Sequence, residues 1–245
     1  MSMLARVAEW LVEPAPPATF LDRAAPGRTK QEGEAPSAPP AVPLASPAAV
    51  NARPIVAVIG LAAGCGTTTL ARALAATLAR RDHSGAAIVS SQAPGAASNL
   101  AVRSATRLAA RVSSGGAQAR AAGRLCITNA DQPEALVRLA PVVLDLPPGE
   151  HPQIELAHVT VLVVPGDAEP ALAELAARNL RRVGRQPLTV VTRAADPERW
   201  QQRAFLLLPA SHVGARLAAA GWEARGPLGA AIARIADACE EAACE

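Results

Sequence analysis

Residues 54–81, PIVAVIGLAAGCGTTTLARALAATLARR, set Gly60, Gly64 and Gly66 between an apolar run and a helix-length segment that opens on three threonines. Glycines let a backbone wrap closely around an anion. The amides of Gly64 to Thr69 can then point inward, and the start of a helix adds partial positive charge. The chemistry this order suits is phosphate binding. In the usual pattern, G-x-x-x-x-G-K-[ST], a lysine reaches the terminal phosphates and the hydroxyl ligates magnesium. Here Thr68 fills the hydroxyl position, Thr67 stands where the lysine would be, and the first glycine falls on Leu61. A structural turn before a helix uses the same glycines, so this stretch alone leaves both readings open. A second candidate is Asp145 in VVLDLPPG (residues 142–149), an acid at the C-terminal end of a buried strand, where open α/β sheets bind ligands.

Other reactive residue types form no array. Cys65, in the loop, is read as a small residue chosen for close packing rather than a reactive thiol. Cys65, Cys126, Cys239 and Cys244 have neither CxxC nor zinc-ligand spacing, which points to reduced thiols. His83, His151, His158 and His212 are scattered, and Asp167 with Glu169 reads as helix capping at a strand-to-helix turn.

The elements that must position the loop follow from the apolar pattern. Half of the 245 residues are apolar but only 2% are aromatic, with no tyrosine, so a core of Ala, Val, Leu and Ile is expected. Strands are expected at Ile55–Ile59, Ala86–Val89, Leu125–Thr128, Val142–Leu144, Val159–Val164, Leu188–Val191 and Phe205–Leu208. Helices are expected at Thr68–Arg81, Asn99–Val112, Pro133–Leu139, Glu169–Val183, Val213–Ala220 and from about Pro227 to Ala243. This alternation implies an α/β domain over residues 54–245, a mostly parallel sheet with helices on both faces. Before it, residues 13–53 are rich in Pro, Ala and Ser and read as a disordered linker. Met3, Leu4, Val7, Trp10 and Leu11 put an apolar stripe on a short amphipathic helix over residues 1–12, which would fold back on the domain or dock a partner or membrane surface.

The net charge is +3, but the arginines are dispersed, so there is no strong nucleic-acid signal. No run is long enough to span a membrane and no signal core opens the chain, so a cytoplasmic location is expected. The acidic ending DACEEAACE would be repelled by anionic lipid, which leaves peripheral membrane contact weakly supported.

These motifs, in order, resemble the MinD/ParA family of deviant P-loop ATPases, whose loop KGGxGKTT aligns without gaps onto residues 62–69. VVLDLPPG is similar to the family's magnesium strand and switch. HVTVLVVPGDAEPALAELAARNLRRVG resembles the next strand and helix, PLTVVTRA the strand that ends at the adenine, and LPASHVGARLAAAGWEARGPLGAAIARIADAC the closing segment. The resemblance implies the P-loop NTPase fold and binding of ATP or ADP with magnesium. It assigns the nucleotide to Gly64, Cys65, Gly66, Thr67, Thr68, Thr69, Thr192, Arg193 and Pro209. The metal falls to Thr68 and, through water, Asp145.

The departures bear on mechanism. The family's signature lysine falls on Ala62 and the ordinary loop lysine on Thr67. Ser90, Ser91 and Gln92 stand where a water-positioning aspartate would be expected. A threonine supplies no positive charge, so about 2 to 4 kcal/mol of stabilisation is lost and hydrolysis should be very slow or absent. Helix geometry turns Arg72 away from the loop, and Arg193 is read mainly as a solvated charge. The expectation is a regulatory or positioning protein, a pseudo-ATPase or weak nucleotide binder that recruits protein partners, with homodimerisation open. Its lost lysines resemble those of the pilus-localising CpaE/TadZ group. The alternatives are a slow magnesium-dependent ATPase that dimerises on ATP, with arginine replacing lysine, and a nonspecific DNA-binding partition protein.

Overall fold

The computed structural model describes residues 53–90, 100–149, 151–201 and 205–244. The expected helix over 1–12, the linker up to residue 52, and Ser91 and Gln92 lie outside the described residues. Arg53, assigned to the end of that linker, pairs with Asp82 at 2.7 Å.

The strands are β1 (Ile55–Gly60), β2 (Ala86–Ser90), β3 (Ala119–Ala122), β4 (Leu125–Thr128), β5 (Val142–Leu146), β6 (Val159–Pro165), β7 (Pro187–Thr192) and β8 (Leu206–Leu208). They form one eight-stranded sheet in the order β3-β4-β2-β5-β1-β6-β7-β8. Every pairing is parallel except β3 with β4. The helices are α1 (Thr67–Asp82), α2 (Arg103–Ser114), α3 (Pro133–Leu136), α4 (Pro170–Arg182), α5 (Glu198–Gln201), α6 (His212–Ala219) and α7 (Gly226–Ala242), with a 3-10 turn at Pro152–Leu156.

The central strands are apolar without interruption because helices cover both faces of the sheet. Val56 and Val58 face a layer built from α1, α6 and α7, with Leu70, Leu74, Leu228 and Ile232 at its centre. Ile55, Ala57 and Ile59 face the opposite layer, built from α2 and α4 with Leu108, Ala173, Leu180 and Trp200. Buried alanines on α1, among them Ala71, Ala75 and Ala76, seat that helix close against β1 and bring its first turn over the strand end.

All of the strands expected from the sequence form, and β3 is an addition. ARAA has no strand propensity of its own. It is held by antiparallel pairing with β4, from Ala119 opposite Thr128 to Ala122 opposite Leu125, and Thr128 Oγ1 donates to Gln118 O at 2.8 Å. The turn of this hairpin meets the α6–α7 connection so closely that a Cβ on Gly221 would lie 2.0 Å from Ala122 O, and Gly221 has φ +80°. Only glycine fits there.

Two helices are shorter than expected. Val102 is extended (φ −72°, ψ 155°), so α2 begins at Arg103 rather than Asn99, and α3 stops at Leu136 rather than Leu139. Glu169 takes the N-cap position of α4, but its side chain accepts no capping bond; it pairs with Arg199 at 2.8 Å, which corrects the capping reading. The four cysteines are free thiols, and burial pushes Cys126 and Cys239 up to about 12. Among the described residues no helix is long and apolar enough to cross a membrane.

Candidate functional site

The sheet order puts β1 between β5 and β6, so the loop after β1 opens over the strand ends that flank the centre of the sheet, where parallel α/β sheets hold ligands. Leu61 N donates to Val163 O at 2.8 Å, which fixes the start of the loop to β6. At its other end Gly66 is the N-cap of α1, with φ 98° and ψ 15°, and Leu70 N closes the first helical turn on Gly66 O at 2.9 Å. No side chain caps this helix and its first turn contains no acid. The amides of that turn, which have no partners within a helix, are therefore left for an anion.

Thr67, at the lysine position, is turned under the loop. Its Oγ1 lies 3.1 Å from Cys65 Sγ. A Cβ on Gly60 would come within 2.4 Å of that hydroxyl and 2.7 Å of the sulfur, so Gly60 is what leaves room for both. Cys65 is 1% exposed and belongs to the core, as the packing reading expected. Ala62, at the signature-lysine position, is also buried. The only lysine in the chain is Lys30, so residues 53–245 contain no lysine to substitute for either one.

On the β5 side, Thr68 Oγ1 donates to Asp145 Oδ1 at 3.2 Å, joining the two residues expected at the metal. Asp145 is the penultimate residue of β5 rather than its end. It sits opposite Val58 and Ser90 in the neighbouring strands and is 8% exposed. Burial raises its carboxyl above the usual 3.8, against the opposing effects of the Thr68 hydrogen bond and the positive charge of Arg72. Arg72 turns away from the loop, as helix geometry implied. Its guanidinium donates to Ala219 O at 3.2 Å and its charge still acts on Asp145. Among the described residues no three His, Cys, Asp or Glu side chains gather as a metal site. The Thr68–Asp145 pair is instead the sparse kind of site that magnesium occupies while keeping several waters.

On the β7 side, Thr192 is buried and its Oγ1 donates to Cys65 O at 2.6 Å, with Val164 O 3.3 Å away. Arg193 has the uncommon φ of 54° and its Nη2 donates to Gly64 O at 2.6 Å, so this exposed side chain is tied to the loop rather than free in solvent. Beyond them a cleft of about 410 Å³ runs from the loop between β8, α6 and α7. Gly64, Cys65, Gly66, Thr69, Thr192, Arg193 and Pro209 all line it, while Thr67, Thr68 and Asp145 lie outside its wall.

Sequence reasoning missed the rest of the wall: Leu70, Ala73, Leu208, Ala210, Ser211, His212, Ala215, Leu228 and Ile232. Apolar periodicity marks Leu70, Ala73, Leu228 and Ile232 as inward-facing helical positions, but which helices converge on the loop is a long-range outcome. Ser211 Oγ accepts the Gly214 amide at 3.0 Å and caps α6, the helix that closes the cleft. Ser211→Ala should lower stability by about 1 kcal/mol, read as a fall in the thermal midpoint with the fold retained.

No protein-family model matches the sequence, and no curated protein matches it. Solved structures do resemble the fold. A ParA family ATPase from Chlorobium tepidum TLS superposes with a TM-score of 0.52 at 12% identity, covering 76% of this chain and 98% of that one. The MinC:MinD cell division protein complex of Aquifex aeolicus gives 0.46 at 16% identity, over 76% and 95%. A nucleotide-binding protein in complex with ADP from Archaeoglobus fulgidus gives 0.42 at 17%, over 70% and 87%. The first likeness establishes a shared fold, and the other two are too loose to argue from.

Proposed function

We propose, starting from a MinD/ParA-like P-loop fold whose loop has neither lysine, that this protein is a regulatory or positioning factor that binds ATP or ADP weakly and does not turn it over efficiently. One observation carries the reading: the loop, with positive φ at Gly64 and Gly66, opens on an uncapped helix start, while both lysine positions hold side chains that cannot reach a phosphate. Ala62 is buried, and Thr67 faces Cys65 and Gly60. The residues present fit a nucleotide in other respects. Uncapped helix amides would meet the phosphates, Thr68 and Asp145 would hold magnesium, and the apolar cleft beside Pro209 would take the base.

Phosphoryl transfer depends on neutralising charge that grows on the phosphate oxygens, and a hydroxyl does not supply that. Output would therefore come from protein partners, a second copy of the chain included, rather than from chemistry. Calorimetric titration of the protein with ATP and ADP, with and without magnesium, tests this. Weak binding without phosphate release supports it. Magnesium-dependent phosphate release that Asp145→Ala abolishes would overturn it in favour of the slow ATPase, in which Arg193 or Arg72 supplies the missing charge.

A second reading, nonspecific DNA binding, draws on α2. Its Arg103, Arg107 and Arg111 are exposed, recur every four residues on one face, and share the helix with no acid. None of the three is ion-paired among the described residues. If this stripe meets phosphates, retention on duplex DNA should fall steeply between 50 and about 200 mM salt and weaken in Arg107→Ala. Retention that ignores salt, or none, removes this reading.

A further inference from the structure

The phosphate loop is gripped from β7 by two consecutive side chains. Thr192 donates to Cys65 O and Arg193 to Gly64 O, each at 2.6 Å. A peptide is planar and its N–H points opposite to its C=O. Holding the Cys65 carbonyl therefore sets the direction of the Gly66 amide, and holding the Gly64 carbonyl fixes the peptide whose Cys65 amide turns back to Ala62 O at 3.4 Å. Gly64 and Gly66 both have positive φ, at 78° and 98°, the region that favours glycine. Without a lysine, such amides supply most of the attraction for an anion, and their value depends on being aimed before the ligand arrives.

We propose that Thr192 and Arg193 are positioning residues that brace the loop for phosphate, and that the site consequently takes nucleoside di- and triphosphates by their phosphates without selecting the base. The proposal rests on the nucleotide-binding reading given above. Its second half rests on the character of the cleft wall. The one hydroxyl proton of Thr192 is committed to Cys65 O, and Arg193 Nη2 donates to Gly64 O, so both side chains are engaged with the loop. Much of the wall farther in is apolar, formed by Leu70, Leu208, Leu228 and Ile232, and such a surface accepts any aromatic ring. The remaining polar side chains on the wall are Thr69, Ser211, whose oxygen accepts the Gly214 amide, and His212.

The full chain, Thr192→Val, Thr192→Ser and Arg193→Ala would be titrated with ATP, GTP and pyrophosphate in magnesium, and hydrogen exchange of residues 61–69 measured without ligand. The natural protein should bind ATP and GTP within about threefold of one another. Thr192→Val should weaken ATP, GTP and pyrophosphate by a common factor of roughly ten, and Thr192→Ser should restore them. Loop exchange should be faster in Thr192→Val and Arg193→Ala, and natural in Thr192→Ser. If Thr192→Val weakens ATP and spares pyrophosphate, Thr192 reads the base and the proposal fails. Unchanged loop exchange in both Thr192→Val and Arg193→Ala overturns the brace. No binding of any of the three ligands overturns the nucleotide reading and the ligand class with it, while the exchange rates still decide the brace.

Discussion

Thr67→Lys is expected to tighten binding of ATP with magnesium by roughly 10- to 100-fold, the range of one charge-assisted contact of about 1.5–3 kcal/mol. On the nucleotide-binding proposal the loop amides already face the phosphates, so the added ammonium would act on a prepared site. Lysine would also remove the Thr67 hydroxyl from its contact with Cys65 Sγ beneath Gly60 and leave a small space there. A modest loss of stability should accompany the gain in affinity. Phosphate release should stay near background, because position 62 remains alanine and is buried. Titration calorimetry reads the first effect and a phosphate-release assay the second. Equal affinity in the two proteins would mean that phosphates do not meet α1 at this loop.

Asp145→Asn should separate stability from binding. Burial outweighs the Thr68 hydrogen bond and the Arg72 charge, so the folded carboxyl holds its proton more tightly than the unfolded one. In that case the folded state binds more protons than the unfolded state between 3.8 and the folded value. Stability then falls as pH rises through that window and stays level above it. Asparagine keeps an acceptor for Thr68 and carries no charge to desolvate. The variant should therefore be more stable than the natural protein at neutral pH, by on the order of 1 kcal/mol. The advantage should shrink toward zero as pH drops below the window, as thermal midpoints across pH would register. The same change should abolish any enhancement of ATP binding by magnesium, since it removes the carboxylate of the Thr68–Asp145 pair proposed to hold the metal. A natural protein that is the more stable of the two at pH 7 would show that Arg72 and Thr68, not burial, dominate at Asp145. Such a conflict between stability and charge is common where a fold keeps a site for a ligand.

The order of apolar runs, glycines and helical segments made the sheet and most of the loop legible in the sequence. Parallel strands buried on both faces leave an unbroken Val, Ile and Leu signature, and the strand–glycine–threonine order marks a loop opening on a helix. The family resemblance, rather than local chemistry, exposed the two missing lysines and set Thr68 and Asp145 at one place, where the structure joins them by a hydrogen bond. β3 was illegible because ARAA pairs only where β4 offers an edge, and the start of α2 slipped because an extended Val102 leaves no mark in composition.

What the amino-acid order alone determined was the fold, a glycine loop opening on a helix and its lack of local cationic charge, because each depends on residues close together in the chain. Only the tertiary structure decided what the loop's neighbours do. Thr192 and Arg193 lie more than 120 residues from the carbonyls they hold, Arg72 acts on Asp145 from another element, and the cleft is walled by β8, α6 and α7. A side chain's type shows which bonds it can make, but packing of distant segments selects the partner. That is why the Thr192 hydroxyl is found on Cys65 O, 127 residues earlier in the chain.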